Sequence, residues 1–320
     1  MTHKIILDTD PGIDDAMALF TALAHPTIEL VGVTTTFGNV AVTQATQNAL
    51  KLLEMANASH IPVAQGGATP WVQDTPPYPD FVHGVDGLGN LHLPPPTTKP
   101  INASAAEFIV EQVLKHPHEI NIVAIGPLDN LAAALQLNPT IATLVKQVVI
   151  MGGVIDRDGN VSPVAEANIF CDPHAAERVM AAAWSVVMVG LDVTHQVVLS
   201  RELFERIRDN NPRIGQFMLD AAQFYMRFYG SIRGIQGCYG HDVSAVAYVI
   251  DPTLFKTIEG SICVATEGVA IGQTIIDRHG LSSYALKNWN HRPKQKACME
   301  VDAERLLALF ETSMTHEFWH

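Results

Sequence analysis

The first residues able to do chemistry are carboxylates. Asp8, Asp10, Asp14 and Asp15 fall within eight consecutive positions near the amino terminus. Ahead of them, Lys4–Leu7 is short and mostly apolar, a strand candidate that ends at Asp8. Asp10, Pro11 and Gly12 read as a turn, and Asp14 and Asp15 open the helix that follows. Carboxylates crowded at one strand end repel one another, and keeping them ionised requires a cation. Hard oxygen ligands favour calcium or magnesium. An acidic turn capping a helix N-terminus explains one or two aspartates, not the whole set.

Further polar groups follow other strand candidates. Phe37-Gly38-Asn39 comes after Glu29–Thr35, and Ala124-Ile125-Gly126-Pro127-Leu128 closes Ile120–Ile125, where a backbone carbonyl can face a site. Glu166-Ala167-Asn168 lies close to Asn160. Amides both donate and accept hydrogen bonds, which suits recognition of hydroxyls. Gly240-His241-Asp242 precedes an apolar helix that Asp242 is placed to cap. Each of these alone reads as ordinary turn or cap chemistry. Together they put polar groups at successive strand ends, where the site of an α/β protein lies.

The elements that must position these groups alternate strand and helix. Strands are expected at Lys4–Leu7, Glu29–Thr35, Ile120–Ile125, Val148–Met151 and Val186–Val189, short continuous runs of the kind covered on both faces. Helices are expected at Asp14–Ala24, Val42–Ala56, Ala105–Lys115, Asp129–Leu137 and Asp172–Ala183, the last opening on Asp-Pro. This alternation predicts an α/β fold with an open, mostly parallel, Rossmann-like sheet flanked by helices, and a ligand site at the carboxyl ends of its strands. The proline-rich and glycine-rich segment Gly66–Pro100 is too long for a plain connector and reads as functional or as a mobile flap. The carboxy-terminal third adds helices at Arg201–Asn210, Ile214–Phe228, Asp242–Ile250 and Asp302–Glu311. Short strands are expected there near Phe255–Ile258, Ile262–Thr266 and Thr274–Ile276. With no repeat and no linker, the expectation is one domain over residues 1–320.

Composition excludes several roles. The 320-residue chain carries a net charge of −13, which argues against a polynucleotide partner, since such binding needs a cationic face. No apolar run is long enough to span a membrane, and no signal-peptide core precedes the acidic cluster. Cys171, Cys238, Cys263 and Cys298 show no paired spacing and read as reduced thiols of a cytoplasmic protein.

The segment Asp8-Thr9-Asp10-Pro11-Gly12-Ile13-Asp14-Asp15-Ala16 resembles the signature of the nucleoside hydrolases, calcium-dependent N-ribohydrolases. Thr35–Asn39, Ile125–Asn130, Met151-Gly152-Gly153, Ala165–Ile169 with Asp172-Pro173, and His241-Asp242 extend that resemblance over essentially the whole chain. The resemblance implies hydrolysis of ribonucleosides such as inosine and uridine. It implies Ca2+ held by the carboxylates of Asp10, Asp15 and Asp242 and the carbonyl of Ile125, with Asp10 also the general base for a calcium-bound water. Asn39 and Asp14 would lie near that water and the ribose, Asn160, Glu166 and Asn168 would hold sugar hydroxyls, and Met151 would pack by the ribose. His241 would help the base leave, His83 would be a second histidine over it, and Tyr229 and Arg233, four apart on one helical face, would line its pocket. Asp8 would orient the other carboxylates. The family often has Thr where this chain has Asp129, and Thr rather than Ile125 before Gly126. Only a backbone carbonyl is needed at Ile125. A homodimer or homotetramer is the family expectation, and a pyrimidine-specific hydrolase is the nearest variant. A haloacid-dehalogenase-like phosphatase also begins strand-Asp-x-Asp, but Pro11–Asp15 and His241-Asp242 disfavour it. A non-catalytic nucleoside-binding protein would be expected to lack one of Asp10, Asn39, Asn168 or His241, all of which are present.

Overall fold

Alternation along the strands sorts their side chains onto two faces. In β1 (His3–Thr9), Ile5 and Leu7 join one apolar cluster while Ile6 joins another. In β4 (Ile120–Ala124), β5 (Gln147–Met151) and β6 (Val186–Val189), Ile122, Val148, Ile150, Val186 and Met188 side with Ile6. Val123, Val149, Met151, Val187 and Val189 side with Leu7. Strands buried on both faces read as continuous apolar runs, which is why these were recognisable. The computed structural model describes residues 2–281 and 284–319.

The remaining strands are β2 (Ile28–Thr35), β3 (Val63–Gln65), β7 (Val198–Leu199), β8 (Cys238–Tyr239), β9 (Phe255–Val264), β10 (Thr274–Asp277) and β11 (Gln295–Val301). A nine-stranded sheet runs β10-β9-β11-β6-β5-β4-β1-β2-β3, with β7 and β8 paired separately. From β11 through β3 every pairing is parallel; β9 and β10 add antiparallel strands at one edge. The helices are α1 (Ile13–Ala24), α2 (Val42–Met55), α3 (Asp80–His83), α4 (Ala105–Lys115), α5 (Asp129–Leu137) and α6 (Ala167–Cys171), then α7 (Pro173–Ala181), α8 (Leu191–Thr194), α9 (Arg201–Asn210), α10 (Pro212–Arg233), α11 (His241–Ile250) and α12 (Ala303–Met314). Buried residues of α1, α2 and α9–α12 cover the Leu7 face; those of α4, α5 and α7 cover the Ile6 face.

The chain winds outward from β1 to β2 and β3, then returns to place β4 on the other side of β1. That reversal opens a crevice beyond the carboxyl ends of β1 and β4, the usual ligand position in such sheets. Register pairs Asp8 with Ala124, so Asp10 and the Ile125–Gly126 turn emerge side by side.

Four expectations are corrected. β9 is one strand where two pieces were expected, because Gly260 at its middle packs against the Asp277 backbone of β10. β11 was not foreseen. Helix α10 runs past Phe228 to Arg233 and stops on Gly234, whose φ of 67° is the left-handed conformation that ends helices. Asp242 does not cap α11; Gly240 occupies the cap and Asp242 lies inside the first turn, its carboxylate free to face the site. The Gly66–Pro100 segment is stitched down. Glu54 accepts four hydrogen bonds from Thr97 and Thr98, Asp86 accepts from the N–H groups of Leu88, Asn90 and His92, and Gln73 donates to the Phe170 and Cys171 carbonyls.

Candidate active site

The turn after β1 is held by Asp15. Its carboxylate accepts from Thr9 Oγ1 at 2.5 Å, from Gly12 N–H at 2.9 Å and from Asn39 Nδ2 at 3.0 Å, closing the first turn of α1. Asp10 Oδ2 accepts from Asn39 N–H at 2.6 Å. Gly38 and Gly126 flank Asp10 so closely that a Cβ on either would stand 2.1 Å or 2.5 Å from its carboxylate oxygens. Asp8, deeper still, accepts from Thr34 Oγ1 and Asn130 Nδ2.

Ligand atoms of Asp14, Asp15 and Asp242 all lie within 4.8 Å of one another, and all three residues are buried. The resemblance had grouped Asp10, rather than Asp14, with Asp15 and Asp242. Asp10 is turned toward the Asn39 amide and stands beside the trio. Burial and mutual repulsion push Asp10 and Asp242 well above the usual carboxylate range, and push Asp14 up to about 7. Among the described residues, no Lys or Arg acts on them. Asp10 Oδ1 and Asp14 Oδ1 are buried without a hydrogen-bond partner. Unpartnered buried carboxylate oxygens in a crowd of like charge fit a hard divalent cation.

Above the carboxylates is a cavity of about 170 Å³. Asp14, Asn39, His83, Ile125, Met151, Asn160, Glu166, Asn168, Tyr229, Arg233, His241 and Asp242 line it; Asp10 and Asp15 are buried at its edge. Asn168 Nδ2 donates to the carbonyls of Ile125 and Met151, tying the ends of β4 and β5 together. Glu166 caps α6, accepting from the N–H groups of Asn168 and Ile169 and from Gly153 N–H; burial lifts its carboxyl to about 7. Asn160 Oδ1 accepts from Ala167 N–H.

A chain of hydrogen bonds crosses the opposite wall. Thr194 Oγ1 meets His241 Nδ1 at 2.8 Å, and His241 Nε2 meets the Tyr229 hydroxyl at 2.8 Å. That hydroxyl lies 3.4 Å from the Tyr225 hydroxyl, which donates to Asp14 Oδ2 at 3.0 Å. Burial drives His241 well below its ordinary pKa and His83 down to about 3. His83 is therefore neutral, and its 3.9 Å approach to Asp14 is no ion pair. His83 Nδ1 accepts from Ile13 N–H, which leaves the proton on Nε2.

Sequence reasoning missed Thr194, His195 and Phe81, of which the last two line the cavity, as do Tyr225 and Phe228 of the Phe224–Arg233 stretch that the resemblance set along the base pocket. Tyr225 stands one helical turn before Tyr229. His195 follows β6 at a carboxyl end. Phe81 comes from the long loop, and nothing local in the sequence marks it.

A family model described as inosine-uridine preferring nucleoside hydrolase matches residues 5–308. The chain is 42% identical over 307 residues to a probable uridine nucleosidase 2 of Arabidopsis thaliana, covering 96% of this chain and 95% of that protein. It is 41% identical over 280 residues to an inosine-uridine preferring nucleoside hydrolase of Leishmania major, covering 87% and 88%. A solved plant nucleoside hydrolase superposes with a TM-score of 0.95 at 37% identity, covering 98% of this chain and 99% of that one.

Proposed function

The chain belongs to the inosine-uridine preferring nucleoside hydrolase family and is an N-glycosyl hydrolase of nucleosides; on that premise we propose the residues, the cation and the order of events. The observation that carries the reading is the buried trio Asp14, Asp15 and Asp242, of which Asp14 and Asp242 line the same cavity as Asn160, Glu166, Asn168 and His241. We assign the cation as Ca2+, held by Asp10, Asp15, Asp242 and the Ile125 carbonyl, with Asp14 in contact. When bound, such an ion acidifies a water and grips vicinal hydroxyls.

The chain's own residues do the rest. Asp10 takes a proton from the water that adds to the anomeric carbon. Asn39 fixes Asp10 through its backbone N–H and Asp15 through its side chain. As the N-glycosidic bond breaks, its electron pair leaves with the base and positive charge develops on the ribose. The surrounding carboxylates stabilise that charge without reorganising. Glu166, Asn168 and Asn160 hold the hydroxyls, which makes 2′-deoxyribosides poorer substrates, and Met151 packs against the sugar. His241 stays neutral and assists the departing base with a ring N–H. For Nε2 to do so, the Tyr229 hydroxyl must yield its hydrogen bond. His83, Tyr229 and Arg233 complete the base pocket.

We further assign a dimer or tetramer in the cytoplasm. The edge strand β10 exposes Ile275, and Leu281 and Leu286 further along the chain are exposed as well, apolar surface of the kind a partner covers. No helix among the described residues is long and apolar enough to cross a membrane. Light scattering tests the assembly.

The central experiment measures kcat/KM for uridine, inosine and cytidine on chelator-stripped enzyme and after calcium is restored. Restored turnover supports the reading. Full turnover with no metal by elemental analysis removes calcium from it, and no hydrolysis of any ribonucleoside removes the activity.

A further inference from the structure

Three histidines line the cavity, and they differ in what their ring nitrogens already do. His241 has both engaged, one by Thr194 and one by Tyr229. His83 has one engaged, by Ile13 N–H. His195 forms no side-chain hydrogen bond among the described residues. Its position is nonetheless fixed. It follows α8 directly, its backbone N–H returning to Leu191 O, so the end of β6 carries it to the cavity. Its ring packs 4.5 Å from the Tyr239 ring at 33° and 5.7 Å from His241 at 64°.

We propose that His195 is a base-contacting, specificity-determining residue whose ring offers a hydrogen bond to the polar edge of the nucleobase. This rests on the reading of the cavity as a nucleoside site. A half-buried ring held by aromatic packing, with both nitrogens uncommitted, is organised for a ligand rather than for the fold. Burial and the charges of Arg233 and Arg157 push its pKa down to about 4, so it enters the site neutral, with one donor and one acceptor. A neutral imidazole can change tautomer. It can donate to the carbonyl oxygen of uracil or hypoxanthine, or accept from the exocyclic amine of cytosine. Arg233 at the same wall can only donate. His195 is thus the contact that lets one pocket take both oxo and amino bases, while Arg233 tilts the balance toward oxo bases.

The test uses the full-length enzyme with calcium and two variants, H195F and H195N. Phenylalanine keeps the ring against Tyr239 and removes both nitrogens; asparagine restores one donor and one acceptor without the ring. Substrates are uridine, inosine, cytidine and p-nitrophenyl riboside, whose leaving group has no base edge. H195F is expected to lower kcat/KM on all three nucleosides by about tenfold, mainly through KM. It should leave p-nitrophenyl riboside within about twofold, and H195N should recover part of the loss. Equal losses on nucleosides and p-nitrophenyl riboside would mean that His195 acts only by packing, and unchanged nucleoside KM would mean that it does not touch the base. Either result overturns the assignment while the nucleosidase reading stands. Wild-type enzyme inert toward every riboside overturns both.

Discussion

Adding one methyl group at Gly126 probes the geometry of Asp10 without touching its chemistry. An alanine Cβ there would stand 2.5 Å from Asp10 Oδ1, so reaching even a tight 3.0 Å contact requires 3.0 − 2.5 = 0.5 Å of movement. An ordinary van der Waals separation requires about 1 Å. The carboxylate cannot swing away freely. Its Oδ2 is held by Asn39 N–H at 2.6 Å, and Gly38 leaves no room on that side. A misplacement of about 1 Å in a catalytic group costs up to about 100-fold. G126A is therefore expected to lower kcat by about 10- to 100-fold, or ~1.4–2.7 kcal/mol of barrier. Overpacking should cost stability by about 1–3 kcal/mol, leaving a folded enzyme. Steady-state hydrolysis of uridine with saturating calcium reads the first quantity, and circular dichroism reads the second. D10A should abolish turnover with the fold intact. The reasoning fails if G126A turns over within twofold of wild type.

Stability should depend on pH and calcium together. In the unfolded chain these carboxyls titrate near 4, whereas in the metal-free fold Asp8, Asp14 and Glu166 titrate at about 7. The folded state holds more protons across that window, so the contribution of these three groups to metal-free stability is greatest below it and is lost as pH rises through about 7. Calcium needs the deprotonated ligands, so its gain in Tm, about 3–5 °C at 100 times Kd, should grow from pH 5 to pH 7.5. An equal gain at both pH values contradicts this. T194V removes the hydroxyl that orients His241 Nδ1 and should lower kcat on nucleosides about tenfold with KM little changed; unaltered kcat would show that the ring needs no such anchor. Phe20 of α1, fully buried and edge-on to Phe217 and Trp319, anchors that helix against α10 and the carboxy terminus. F20A should destabilise by about 3–5 kcal/mol in denaturant titration, and a loss below 1 would mean that the site closes up.

The parallel core of the sheet was legible because its strands are apolar on both faces, and its helices because their caps are local. β11 escaped because Lys296 and Glu300 break its apolar run; it is held by pairing with β9 and β6, partners distant in sequence. β9 was divided for the same kind of reason. Glu259, Gly260 and Ser261 look like a turn until β11 is laid beside the first two and β10 beside the third. Register and pairing are tertiary facts, and they override local pattern.

The same division runs through the site. The half we assign to the ribose was legible because its residues stand in short contiguous motifs at the ends of β1, β2, β4 and β5, whose mutual positions the parallel register dictates. The half we assign to the base is assembled from α3, α8, α10 and the start of α11, elements that meet through aromatic packing such as Phe81 on Phe228 and through the hydrogen bonds of His241 to Thr194 and Tyr229. Nothing in the spacing of Phe81, His195 and Phe228 announces that they share a wall. The two halves also differ in how they respond to change. A shift at a strand end disturbs several hydrogen-bonded carboxylates at once, as the Asp15 contacts to Thr9, Gly12 and Asn39 show. A substitution at His195 or Ile232 alters one wall of the cavity and leaves those carboxylates untouched. On that assignment base preference is the property this fold can change most readily, and cleavage of the glycosidic bond the one it can change least.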